Sequence, residues 1–209
     1  MRLISALMAV LLLTACAGRD DLSEMPEPIG TFLLGHNVVV APNLEKGPLS
    51  REASNDEWIA AVTQAVDDRF NNERFPGSAY FHIGVAVEGY VLAQPGVPLI
   101  YTPKSVLIIS VNFFEDATQT RLNEEPIQLT IFEPCCAPII GSGIARSREE
   151  QLEGLAFNAA RAIERTMREH ADWFGGTAEE LPEDDTIIEG NVLEDNPELI
   201  LPEQTAPDE

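Results

Sequence analysis

YFHIGVAVEGYVLA, residues 80–93, decides what kind of domain this chain builds. Phe81, Ile83, Val85, Val87 and Val91 recur with a period of two and fall on one face of an extended strand, with Tyr80, His82, Glu88 and Tyr90 on the other. A strand with one apolar face needs a second layer to cover it. Gly84 and Gly89 interrupt the rows and mark places for a bulge or a sharp twist. Three further runs read as strands. His36 to Ala41 (HNVVVA) is β-branched and stops at Pro42. Lys104 to Glu115 (KSVLIISVNFFE) is apolar on both faces at its centre, the mark of a central strand. Ile127 to Glu133 (IQLTIFE) follows a polar turn around Asn123, and Ile139 to Ala145 fits either a glycine-containing strand or a loop.

Two segments supply the covering layer. Ser54 and Glu57 form a Ser-x-x-Glu capping box, after which Trp58, Ile59, Val62, Ala65, Val66, Arg69 and Phe70 recur at helical spacing. Asn71-Asn72 and Pro76-Gly77 end that helix. Ser147 and Glu150 repeat the box, and Leu152, Leu155, Ala156, Ala159, Ile163 and Met167 line one face of a second helix. Arg161, Glu164, Arg165 and Arg168 take the remaining surface, and Gly175-Gly176 stop the chain after Asp172-Trp173-Phe174. The order β-α-β-β-β-α predicts an α+β fold over residues 31–174. The expected form is a two-layer sandwich, one mixed or antiparallel sheet with both helices on one face.

The flanks have a different character. Arg2 precedes an apolar run, Leu3 to Leu13, which is too short to span a bilayer. It ends in Leu13-Thr14-Ala15-Cys16. This stretch resembles the bacterial lipobox: aliphatic, small, Gly/Ala/Ser, then Cys. The resemblance implies a signal peptide over residues 1–15, diacylglycerol on the Cys16 thiol and cleavage before Cys16. It also implies attachment to the membrane through acyl chains, facing the periplasm. Ala17 stands where an Asp would favour inner-membrane retention, so the outer membrane is the expected address. Residues 16–30 read as a polar, Pro-containing tether with an r.m.s. span of about 20 Å.

After Phe174 the chain carries no Lys or Arg, while formal net charge is −22. A self-repelling segment of this kind is expected to be disordered over residues 175–209. The charge argues against nucleic acid, whose binding needs Lys and Arg on phosphates, and against docking on anionic head groups. Cys135 and Cys136 are adjacent between Pro134 and Pro138. In an oxidising compartment they admit four states: free thiols, a strained vicinal disulfide, an intermolecular bridge, or half of a metal site. His36, His82 and His170 show no ligand spacing near them.

The two-layer layout over roughly residues 35–174 is similar to that of small Gram-negative envelope lipoproteins, the lipopolysaccharide-assembly lipoprotein family among them. The stretches Pro103-Lys104-Ser105 and IGSGIARS (residues 140–147) also resemble uncharacterised alphaproteobacterial lipoproteins. No nucleophile elbow, P-loop, zincin or dinucleotide fingerprint occurs. Gly141-Ser142-Gly143 reads as a turn, and Glu115-Asp116 and Glu124-Glu125 as solvated strand ends. His82 has no partner identifiable from sequence. Tyr80, Tyr90 and Tyr101 read as sheet-face packing.

The expectation is therefore no enzyme, no catalytic residue, no metal and no cofactor. The expected role is a periplasmic protein-interaction or envelope-assembly module with an envelope protein partner. The alternative is a carrier of a small hydrophobic ligand or lipid, with the Gln94 to Pro103 connection as a lip. A cavity between sheet and helices would favour the carrier. A filled core with an exposed apolar patch or open strand edge would favour a partner.

Overall fold

The computed structural model describes residues 21–94, 105–133, 146–184 and 186–190. Cys16, Cys135, Cys136, the stretch Ile139 to Ala145, the Gln94 to Pro103 connection past its first residue and the tail after Gly190 lie outside them. The strands are β1 (Phe32–Val40), β2 (Glu45–Lys46), β3 (Ala79–Val91), β4 (Val106–Glu115), β5 (Thr120–Arg121), β6 (Ile127–Phe132) and β7 (Ile187–Glu189). The helices are α1 (Asn55–Phe70) and α2 (Arg148–Glu169), with short 3-10 helices at Asp21–Ser23 and Ala171–Phe174.

Among the described residues the strands form one mixed sheet in the order β1-β3-β4-β6-β7. β1 runs parallel to β3, and β4, β6 and β7 follow antiparallel. The two-residue β2 continues the β1 edge alongside β3, and β5 pairs with β4. Both helices cover one face, which makes the fold α+β.

Each helix starts where its capping box puts it. Ser54 Oγ accepts from the Glu57 amide at 3.3 Å while Glu57 Oε2 accepts from the Ser54 amide at 2.8 Å. That backbone donor is the largest of the contacts holding the Glu57 carboxyl below its ordinary value. Ser147 and Glu150 repeat the exchange at 3.1 and 2.8 Å. From there Trp58, Val62, Val66 and Phe70 of α1 and Leu155, Ala159, Ile163 and Met167 of α2 are fully buried against the sheet. The sheet meets them with Ile83, Val85, Val87, Leu107, Ile109, Val111, Phe113, Leu129 and Ile131, none more than 1% exposed. Each such aliphatic or aromatic side chain contributes roughly 1.5–3 kcal/mol of hydrophobic burial.

Beside this layer Phe32, Phe70, Phe75, Phe81, Phe113 and Phe174 form one aromatic cluster. Its Phe32 ring lies 5.7 Å edge-on to Phe174 and 5.8 Å from Phe70. The pairwise edge-to-face geometry favours such rings beyond their area alone. Between the helices Arg69 is 2% exposed, pairs with Glu164 at 2.8 Å and sits 5.1 Å over the Phe157 ring. Arg168 closes on the same carboxylate at 2.8 Å.

Four expectations need correction. β1 starts at Phe32 rather than His36, because Phe32 and Leu33 pair with Ala79 and Tyr80 before a bulge at Gly35-His36 takes up one extra residue. β3 changes face at its own bulge. Val87 pairs with Ile109 and Gly89 with Ile108, so Glu88 has no opposite residue and the alternation reverses after it. Tyr90 therefore points inward and Val91 outward, the opposite of the period-two reading.

The tether is the third. Within residues 16–30, Arg74 donates to the carbonyls of Leu22 and Glu24, Arg168 donates to that of Glu27, and Ile29 is buried. Gly30, at φ +52°, passes so close to Phe174 that a Cβ would stand 2.2 Å from its carbonyl oxygen. The fourth concerns the acidic segment, which does not begin as a free tail at residue 175. Arg161 pairs with Asp184 at 2.9 Å, Arg168 with Glu179 at 3.6 Å, and Arg165 donates to the Leu181 carbonyl at 3.4 Å. The arginine row on α2 ties this segment to the helix, and beyond it Ile187–Glu189 pair with the edge of β6.

Candidate functional site

With both helices on one side, the other face of the sheet is where a second body can meet it. Its residues follow from the register. β1 contributes Val38 and Val40, β3 contributes Tyr80, His82, Gly84, Ala86, Glu88 and Val91, and β4 contributes Val106, Ile108, Ser110, Asn112 and Phe114. β6 adds Gln128, Thr130 and Phe132. The face is graded along the strands: apolar at one end, polar in the middle, and imidazole-bearing at the other.

At the apolar end, Val91, Val106 and Phe132 lie in one cross-strand row, with Ile108 and Thr130 in the next. They floor a groove of about 580 Å³ walled by the Pro42 to Pro48 segment. The reversal at Glu88 builds this floor, since it sends Val91 outward and carries Tyr90 into the core. There the Tyr90 hydroxyl donates to the Ala53 carbonyl at 2.8 Å and accepts from the Ala53 amide at 3.0 Å. In the middle, the Glu88 carboxylate accepts from Ser110 Oγ at 2.5 Å and from Gln128 Nε2 at 2.8 Å. Thr130 lines the groove, is 3% exposed, and its hydroxyl has no hydrogen bond among the described residues.

At the far end the β1 bulge brings His36 against His82. The His36 amide donates to His82 Nδ1 at 3.0 Å, and the two Nδ1 atoms are 3.1 Å apart. Because Nδ1 of His82 accepts, its proton sits on Nε2 and is donated to Asp116 Oδ1 at 3.0 Å. Gly35 is needed for this arrangement, because a Cβ there would stand 2.6 Å from His82 Nδ1. Among the described residues the hydrogen-bond partners of His82 are His36 and Asp116. Among the described residues no group of three or more His, Cys, Asp or Glu is placed to hold a metal ion.

The β1 edge completes the face. β1 contains no charged residue, pairs with β3 on one side, and has no strand on its other side among the described residues. Val38 and Val40 are 54% and 45% exposed there, and Tyr80 nearby is 54% exposed.

His82 and Asp116 are thus brought together, as sequence reading did not anticipate, and His36 joins them from 46 residues away. Only the strand register reveals this, so no local motif signals it. Glu115 instead accepts from Thr118 Oγ1 at 2.7 Å, and Glu124 and Glu125 offer backbone carbonyls to Arg121 and Asn123. Tyr80 is outward, Tyr90 is in the core, and Tyr101 lies outside the described residues with Cys16, Cys135 and Cys136. No helix among the described residues is long and apolar enough to cross a membrane.

No protein-family model and no curated protein matches the chain. Solved structures give distant likenesses. A candidate lipoprotein from Caulobacter crescentus is 15% identical over 62% of this chain and 88% of its own, with a TM-score of 0.34. A protein from Xanthomonas campestris is 10% identical over 68% and 99%, with a TM-score of 0.30. A candidate homologue of the neuraminyllactose-binding hemagglutinin from Helicobacter pylori is 10% identical over 71% and 91%, with a TM-score of 0.29. Likenesses of this size carry no inference about what the present chain does.

Proposed function

We propose that this protein is a lipoprotein of the bacterial envelope, anchored through Cys16, that works without catalysis by docking a protein partner on the open sheet face and the β1 edge. The observation that carries the docking role is the exposure of Val38 and Val40 on an uncharged edge strand. An unpaired edge presents free N–H and C=O groups, and proteins normally blunt such edges with charge, proline or cover. Here β1 has the Gly35-His36 bulge, and among the described residues no strand pairs with the free side of its last four residues, Asn37 to Val40. Strand addition would supply the missing backbone partners while the two valines fill apolar pockets on the incoming chain.

A photo-crosslinking residue at Val38 in intact cells tests this, with one at Glu153 on α2 as control. A discrete adduct at Val38 and none at Glu153 is the expected result. Absence of adducts at Val38, or the same adducts at both, would remove the docking reading. Cys16→Ser is expected to abolish fatty-acid labelling and detergent partitioning; retention of both would remove the anchor.

The 580 Å³ groove favours a second reading, because its volume lies within the range of small-ligand sites. In that reading Ile108, Val106 and Phe132 hold the apolar body of a ligand and Thr130 supplies a polar contact. Native mass spectrometry separates the two. A stoichiometric small molecule or lipid that disappears in Ile108→Trp would establish a carrier.

A further inference from the structure

The anchored segment is docked on the helical layer. Leu22 sits in a shallow groove between α1 and α2 with Ala61, Ala65, Leu152, Ala156 and Phe157. That groove is on the side of the helices away from the sheet, since it also includes the exposed α1 positions Ala60, Gln64 and Asp68. Arg74 holds the Leu22 and Glu24 carbonyls, and Arg168 holds that of Glu27. What remains as leash is the six-residue step from Cys16 to Leu22. Even fully extended it spans at most about 20 Å. A helix layer is about 10–12 Å thick and a packed sheet adds about 10 Å more. The leash is therefore too short to run round both layers and lay the outer sheet face on the bilayer.

We infer that the lipidated protein is held with its helical layer toward its own bilayer and with the outer sheet face and β1 edge turned into the aqueous space. The docking face then meets a partner that reaches it through that space, either a soluble protein or an extramembrane domain. The membrane-embedded part of a neighbour in the same bilayer is out of its reach. The inference rests on the Cys16 anchor and, for the class of partner, on the docking role proposed above. Attraction to lipid does not produce this orientation. Glu57, Asp68, Glu149 and Glu153 surround the helical groove with one cation, Arg148, which pairs with Glu57 and Glu149; the rim stays net acidic, so the short leash and not lipid attraction sets it.

Energy transfer measures it directly. The full-length acylated protein is reconstituted in phosphatidylethanolamine–phosphatidylglycerol vesicles carrying an acceptor dye on the head groups. A fluorescent amino acid is placed by codon suppression at Ala60 or at Val38. Transfer is expected to be several-fold stronger from Ala60. A Gly/Ser insertion of about 15 residues after Gly18 should reduce it and erase the difference between the sites. Equal transfer from the two sites without the insertion, or stronger transfer from Val38, would overturn the orientation while leaving the anchor intact. Intact mass showing no acyl chains, with no protein on the vesicles, would instead overturn the anchor and the orientation together.

Discussion

His82 shows how much a single side chain depends on what stands across from it. Its ring is fixed by the His36 amide on one nitrogen and by Asp116 on the other, and Gly35 leaves the space it occupies. Gly35→Ala is expected to destabilise the fold by about 1–3 kcal/mol, because the new methyl group and the imidazole claim the same volume. In the His82→Ala background the same substitution should cost much less, so a double-mutant cycle by chemical denaturation should show clear coupling. Additive effects would mean that the bulge absorbs the methyl group elsewhere. The Arg69–Glu164 pair behaves differently. Both partners are deeply buried, and Arg69→Ala leaves a carboxylate served by Arg168 alone; a loss of about 3 kcal/mol in thermal or urea unfolding is expected.

At the scale of elements, β7 depends on one carboxylate. Burial works to raise the Asp184 pKa. The side-chain and backbone donors of Thr186, with Arg161 and Arg165 nearby, outweigh it and hold the group below its ordinary value. A depressed folded pKa means that the stabilisation is present above the unfolded value and is lost as pH falls through the folded one. β7 should therefore loosen in acid below about pH 4. Amide exchange at Ile187 to Glu189, followed by NMR against pH, reports this, and Asp184→Asn should weaken the strand and flatten its acid transition. An unchanged acid profile in that variant would show that β7 is held by its ladder alone.

This element also marks where sequence stops being informative. The two capping boxes are local, so Ser54 and Ser147 could be placed from four-residue patterns. The inward row of β3 was equally readable up to Val87, and the central place of β4 followed from its two apolar faces. Beyond it, the phase depends on whether Glu88 has an opposite residue, which only the partner strand decides. β7 is three residues in an acidic stretch, and both its ladder partner β6 and the arginines of α2 that hold the preceding segment are distant in sequence. The histidine pair required the parallel register of β1 on β3, which no spacing encodes.

For the whole molecule, charge distribution sets the terms. A chain with net charge −22 keeps the start of its acidic flank close by using Arg161, Arg165 and Arg168, of which Arg161 is half-exposed and open to screening by salt. Truncation after Gly176 should lower thermal stability and expose the β6 edge, raising self-association measured by size-exclusion chromatography. In the intact chain molar salt should weaken the Arg161–Asp184 contact more than those of the less exposed Arg165 and Arg168. A truncated protein as stable and monomeric as the parent would show the acidic flank to be dispensable for folding.

The contact of Gly30 with Phe174 has a mechanical consequence. Thr31 donates to the Phe174 carbonyl through its amide at 2.8 Å and its hydroxyl at 3.1 Å. If the acidic flank were pulled while the acyl end stayed in the bilayer, β7 would peel first. Tension would then pass across this clasp together with the Arg74 and Arg168 contacts that flank it, so the strands behind would come under strain only after these had torn.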